Sequence, residues 1–449
     1  MNHESNDAST LSLGRRRFLQ TAGAAAAAAG GIEGILAARR APAFAQGTKL
    51  HWVRWNDFIP ESDVELKRQM PEASKALGAE VTLETINAND LQPRITAAVQ
   101  SGAGADIFNF QYNWPHLYQN AVVDVSDVAN ALAKAEGGFY DVWAASCQVN
   151  GKWLSVPHSI VGNAVAYRKS WLKEAGATQY PKTWDDTRKL FTILKKKGKP
   201  YGQTLGHTFG DSPVFTYTLL WAFGGAETDK SGKKVVLNSK GTLESVKFMQ
   251  AFWKDCCDEG GLAWDDTNNN RAFHAGELSA TLNGASIYIV AKRQKDKIKD
   301  DKGEPMWTDI DHAPLPAGPA GAYLLFLNQS HAVMKYGKNQ KLAKDLLLWV
   351  HKPENFGKWF TTQEGYSIGS TKKWENDPMW GKLDEPLKMF RTAARNTRLF
   401  GYAGPSTAKA TEGFTKYVIT DMYAKAVQGM KAEDAVKWAE GELKKIYEA

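Results

Sequence analysis

The chain has 449 residues, with 56 Lys and Arg against 49 Asp and Glu, a formal net charge of +7, and 16 Trp within an aromatic share of 11%. Its lysines are scattered over helix faces rather than gathered into a stripe, which excludes a nucleic-acid footprint. Three cysteines and nine histidines at no metal-ligand spacing exclude a zinc site, and neither a metal nor a cofactor is expected.

Residues 1–45 read as an export signal. Arg15, Arg16, Arg17, Phe18 and Leu19 match the twin-arginine pattern R-R-x-F-L. The Ala/Gly-rich run over residues 21–31 is too short and too weakly apolar to span a bilayer. The sequence A-P-A-F-A then offers a small-x-small cleavage site ending at Ala45. No cysteine follows the run, so no lipid attachment is expected. The remainder is too long for one typical core and fits two lobes, each with its own core. The expected location is the periplasm, reached by export in the folded state through the twin-arginine pathway.

Residues 50–55 read as a strand, and Pro60, Glu61 and Ser62 open a helix. Residues 80–86 form a second strand, Asn87 caps a helix carrying Ile95, Ala98 and Val99, and residues 106–110 form a third strand. This β-α-β-α-β order predicts an α/β fold with mostly parallel sheets flanked by helices. Ligands of such sheets bind outside the carboxyl ends of the strands. That rule points to Trp55, Asn56 and Asp57, and to the run from Phe110 through Gln111, Tyr112 and Asn113 to Trp114.

Thr183 can cap a helix whose first turn holds Asp185 and Asp186, so these acids have a structural task. Residues 205–211 lead into a helix rich in aromatics. Around residues 323–370 a short strand precedes two helices. The first carries Ala343, Leu346, Leu347 and Val350 at i, i+3, i+4 and i+7. The second opens at Pro353, carries Phe356, Trp359 and Phe360, and stops at Gly365.

The order of these pieces resembles the extracellular solute-binding proteins of the maltose-binding type, carbohydrate-binding components of ABC importers. The resemblance rests on A-A-V-Q-S-G-A-G-A-D-I at residues 97–107, N-F-Q-Y-N-W at 109–114, and G-K-x-x-x-x-P at 151–157. It continues with P-K-T-W-D-D at 181–186, F-H-A-G-E at 273–277 leading to Asn283 and Gly284, and the closing helix after Met430. It implies a two-lobe periplasmic binding fold with a ligand cleft between lobes and three hinge crossings, near Ser159, Tyr323 and Ser370. The first lobe would comprise residues 48–159 and 324–370, the second residues 160–323 and 371–449.

The strand-end rule and the resemblance together imply a ligand set. Trp55, Asn56, Asp57, Phe110, Asn113 and Trp114 come from the first lobe, and His158 and Asn163 from the first crossing. Asp211, Asn283, Gly284 and Ser286 come from the second lobe. Tyr366, Arg398 and Tyr402 complete the set, with Trp55, Phe110, Trp114 and Tyr402 as the aromatic wall. The implied function is delivery of a carbohydrate or polyol to the permease subunits of an ABC importer by cleft closure, the protein acting as a monomer. Arg398 within N-T-R-L-F-G-Y resembles a passage of glycerol-phosphate binders, so a phosphorylated polyol is the alternative ligand. A secreted carbohydrate-active enzyme would need two convergent carboxylates. No spacing predicts such a pair, and the chain is not expected to be an enzyme.

Overall fold

The computed structural model describes residues 47–448; the export signal expected over residues 1–45 lies outside them. A minor unit joins Lys49 to the turn Gly78–Glu80, where Lys49 pairs with Glu80 at 2.8 Å. The main body runs over residues 50–77 and 81–448.

Ten strands build the two principal sheets: β1 (Lys49–Trp55), β2 (Glu80–Ile86), β3 (Ile107–Gln111), β4 (Val156–Val161), β5 (Ala164–Arg168), β6 (Tyr201–Gly202), β7 (Ala280–Asn283), β8 (Ile310–Ala313), β9 (Asn328–Val333) and β10 (Ser367–Gly369). The first lobe is built on a six-stranded sheet of order β10-β4-β9-β3-β1-β2, and the second on a four-stranded sheet of order β8-β5-β7-β6. The sheets are mixed rather than mostly parallel. β1 and β3 are parallel, but β9 runs antiparallel to both β3 and β4, and β10 antiparallel to β4. In the second sheet only the β6–β7 pair is parallel; β5 is antiparallel to β7 and β8. The cause is connectivity. The chain leaves the first sheet at the end of β4, so the strand that receives the returning chain starts at that same end and runs the other way.

Local chemistry sets the helices. Asn87 accepts the Asn89 N–H at 2.9 Å at the start of the helix Ala88–Ser101, and Gly102 ends it at φ +66°, a conformation that costs glycine little. Thr183 caps the helix Trp184–Lys196 by accepting the Asp186 N–H at 3.2 Å. The helices Gln340–Val350 and Pro353–Gln363 bury the expected stripes, Ala343, Leu346, Leu347 and Val350, then Phe356, Trp359 and Phe360. They lie on the first lobe, where the Gln69 amide donates to the Asn355 carbonyl at 3.0 Å. Among the described residues no helix is long and apolar enough to cross a membrane.

The first crossing lies between β4 and β5, at Gly162 and Asn163. The second runs through Leu324–Leu325, which pairs in parallel with Thr397–Arg398. The third comes later than Ser370. Trp374 packs 4.6 Å from Phe356 and 5.0 Å from Phe360, and its indole N–H donates to Glu136 at 3.0 Å. The chain therefore stays on the first lobe until it has covered that helix face. It reaches the second lobe at Asp384, which accepts the Tyr288 hydroxyl at 2.9 Å. Nor are the two cores separate. Buried apolar side chains form one continuous cluster, bridged where Tyr112 lies 4.9 Å from both Phe400 and Phe414 and Trp114 lies 5.4 Å from Phe209.

Candidate functional site

Four strands end at a cleft between the lobes. Trp55, Gln111 and Val161 are the last residues of β1, β3 and β4, and Asn283 is the last of β7. Asn163 enters from the first crossing, and Tyr366 stands immediately before β10. This is the strand-end placement that such sheets give their ligands.

The first lobe supplies a ring wall. Trp55 and Tyr366 lie nearly parallel, 6.4 Å apart at 18°, and Phe58 completes the group at 5.8 Å from Trp55 and 6.1 Å from Tyr366. Tyr366 lies this close to the second lobe because Gly284 faces it. A Cβ on Gly284 would fall 2.7 Å from the Tyr366 ring. Phe209 closes the far side.

The second lobe supplies two carboxylates. Asp211 begins the helix Asp211–Ala222, and Asp266 caps that helix from a distant loop. Its two oxygens accept the backbone N–H groups of Asp211 at 2.7 Å and Gly210 at 3.0 Å. Asp211 accepts the side-chain amides of Asn269 at 2.6 Å and Asn283 at 3.2 Å. Burial pushes the Asp211 carboxyl well above its ordinary range, and the charge of Asp266 adds to it. Burial also raises Asp266 to about 6, against the opposing pull of hydrogen bonds from Thr208 and from the backbone of Asp211 and Gly210.

Among the fully buried side-chain atoms of the described cleft-lining residues, two have no hydrogen-bond partner, the indole N–H of Trp55 and the Oε1 of Gln111. Both residues are buried, at 4% and 2% exposure. Buried polar groups are ordinarily paired, so these two leave a donor and an acceptor free among the cleft-lining residues. Among the described residues no cluster of His, Cys, Asp and Glu can hold a metal ion, and all three cysteines are buried free thiols.

Of the residues expected to bind ligand, Trp55, Asn163, Asp211, Asn283, Gly284 and Tyr366 line the cleft. Ser286 is one step behind, donating to Asn283 at 3.1 Å. Asn56 and Asp57 line an adjoining outer groove. Asp57 is committed to the fold, facing Arg54 at 3.7 Å and accepting from Ile59 and Gln363, each at 2.9 Å.

The others lie elsewhere. Phe110 is fully buried against Tyr118, and Trp114 fully buried between Phe110 and Phe209. Asn113 spends its amide on Ser406, at 2.5 Å, and so ties the lobes together. His158 sits inside the first lobe against His331, His351 and Trp359. Arg398 is sandwiched by Tyr323 and Tyr402, 3.3 and 3.9 Å from their ring centres, and Tyr402 packs on Trp221. Of the four rings expected to form an aromatic wall, Trp55 lines the cleft and Phe110, Trp114 and Tyr402 do not; the other rings lining it are Phe58, Phe209 and Tyr366. Gln111, to which the strand-end rule pointed, also lines the cleft, as do Asp266 and Leu327, which no sequence signal singled out.

The model of the family described as bacterial extracellular solute-binding protein matches residues 65–365. A probable amino-acid ABC transporter periplasmic-binding protein of Sinorhizobium fredii is 21% identical over 63% of this chain and 64% of its own length. A maltotriose-binding protein of Pyrococcus abyssi is 22% identical over 44% and 42%. The chain therefore spans less than two thirds of either curated relative. Among solved structures, maltose-bound MalE3 of T. maritima superposes with a TM-score of 0.73 at 20% identity, over 89% of this chain and 99% of that one. A solute-binding protein of Agrobacterium radiobacter in complex with ribitol gives 0.72 at 18%, over 89% and 98%. These likenesses establish the two-lobe periplasmic binding protein fold.

Proposed function

Because this chain belongs to the bacterial extracellular solute-binding protein family, we propose that it captures a carbohydrate or polyol in the cleft and delivers it to the permease subunits of an ABC importer. The observation that carries this reading is the pairing of a ring wall, Trp55, Phe58 and Tyr366, with the unpartnered Trp55 N–H and Gln111 Oε1. Flat rings cover the C–H faces of a sugar, while amides and carboxylates take its hydroxyls. Relatives named for maltotriose, maltose and ribitol support the same class.

A solute that touches both lobes favours the closed arrangement by its differential affinity, the only means by which a ligand shifts such an equilibrium. Binding without chemistry fits the acids of the site. Asp266 is engaged as a helix cap and Asp211 as the anchor of two asparagines. Export by the twin-arginine route and action as a monomer in the periplasm belong to this reading. No observation favours the phosphorylated polyol, because Arg398, the residue that suggested it, is held between two tyrosine rings away from the cleft.

A thermal-shift panel of neutral mono- and disaccharides and polyols tests the reading. At least one member should raise the melting temperature in a concentration-dependent way. A panel without effect, beside a clear shift from an amino acid, would replace carbohydrate with the class named for the Sinorhizobium relative.

A further inference from the structure

The overall charge of the chain is positive, yet its cleft is acidic. The inner cleft and the adjoining outer groove share Phe58, Ala88 and Asp266. Together they are lined by Asp57, Asp211, Asp265 and Asp266, and among the described residues no Lys, Arg or His lines either one. Asp57 has Arg54 as its counter-charge. Among the described residues Asp211 and Asp266 have neutral hydrogen-bond partners, two asparagine amides, the Thr208 hydroxyl and two backbone N–H groups, although their residues are 7% and 9% exposed.

Two buried carboxylates without a cation are costly, and the cost is relieved by taking up a proton or by receiving a positive charge. Burial raises both groups toward the protonated form, so the pair is receptive to a cation that displaces the proton. Independently, the unpartnered Trp55 N–H and Gln111 Oε1 call for a solute offering both an acceptor and a donor, as a hydroxyl does. The faces of Trp55, Phe58 and Tyr366 are favourable neighbours for a cation.

Resting on the solute-binding reading above, we infer that the preferred solute is a sugar or polyol bearing an amino group, its ammonium held at Asp211 and Asp266 and its hydroxyls at Trp55 and Gln111. An anionic sugar is rejected by the same carboxylates.

The test is calorimetric titration of the purified protein with matched sets: a monosaccharide and a disaccharide, each as the neutral, amino-substituted and phosphorylated form. The amino form should bind at least tenfold more tightly than its neutral parent, and the phosphate should not bind measurably. Asp211→Asn should narrow the amino-over-neutral ratio to under threefold. Should that variant not fold, the wild type still decides. Affinity for the amino form should fall between pH 7 and pH 5, as Asp266 takes up a proton, while affinity for the neutral form stays level. Equal or weaker binding of the amino form, with the neutral form bound, overturns the inference and leaves the carbohydrate reading standing. Binding of simple diamines with rejection of every sugar overturns the carbohydrate reading and, with it, the hydroxyl half of the inference. Failure of every member to bind overturns both.

Discussion

The guanidinium of Arg293 pairs with the Glu364 carboxylate at 2.7 Å, joining the helix Ser286–Arg293 of the second lobe to the turn before β10 of the first. Arg293 also donates to the Thr362 carbonyl at 2.8 Å and pairs with Glu61. These contacts cross between the lobes and exist only when the lobes are together. Partly exposed ion pairs contribute about 1 kcal/mol or less. Arg293→Ala should therefore enlarge the radius of gyration of the unliganded protein in small-angle scattering and weaken ligand binding by about fivefold. An unchanged radius with unchanged affinity would make the latch incidental.

Gly284→Ala addresses the fit of the two halves of the cleft. The added methyl would meet the Tyr366 ring at 2.7 Å, in a place where the ring is buried. Overpacking of this kind costs about 1–3 kcal/mol. Affinity should fall about tenfold or more, because Tyr366 is displaced from the wall. A variant that binds like the wild type would show that Tyr366 does not touch the solute.

Trp114 separates packing from binding. Its ring is fully buried between Phe110 and Phe209 and does not line the cleft. Trp114→Ala should lower the stability of the unliganded protein by about 3–5 kcal/mol. Chemical denaturation with and without solute measures this. A stable variant that has lost affinity would put Trp114 back into the site.

His158, His331 and His351 meet inside the first lobe, with His158 Nδ1 3.2 Å from His351 Nε2 and both ring nitrogens of His331 unpartnered. Burial pushes His351 down to about 4, against the raising effect of hydrogen bonds to the Leu347 and Pro157 carbonyls. Burial likewise holds His158 and His331 well below the usual value. In the unfolded chain a histidine titrates near 6.5. Below that pH the unfolded state takes up a proton that the folded His351 refuses, so its contribution is intact above about 6.5 and is lost as the pH falls toward 4. The buried acids Asp57, Asp211 and Asp266 are raised and act in the opposite sense. The clean measure is therefore a difference. The stability of wild type minus that of His351→Gln should drop by on the order of 3 kcal/mol between pH 7 and pH 4. A flat difference would mean that His351 is protonated in the fold.

Much of this architecture is legible in the residues. Thr183 and Asn87 announce helix starts through local hydrogen bonds. Trp55 is legible as a cleft residue because it ends a strand. Neighbouring residues of a strand point to opposite faces. In β3 this sends Gln111 to the cleft and Phe110 to the packed side, and the run I-F-N-F-Q, buried throughout, does not say which. Asp266 was illegible for another reason. It caps a helix that begins 55 positions earlier, so nothing beside it in the sequence signals the task. The mixed sheet follows from the return of the chain at β9, which a local reading of β-α-β order does not contain.

The central claim is that the solute sits at the strand ends, between Trp55, Tyr366 and the Asp211–Asn283 pair. A crystal structure of the complex with the strongest binder from the panels tests it most directly. The solute should lie in this cleft, accepting from the Trp55 indole N–H and donating to Gln111 Oε1. A solute found instead in the neighbouring groove lined by Leu315, Tyr323 and Phe390, which meets the cleft at Asn163, with Trp55 and Gln111 still unpartnered, would contradict it.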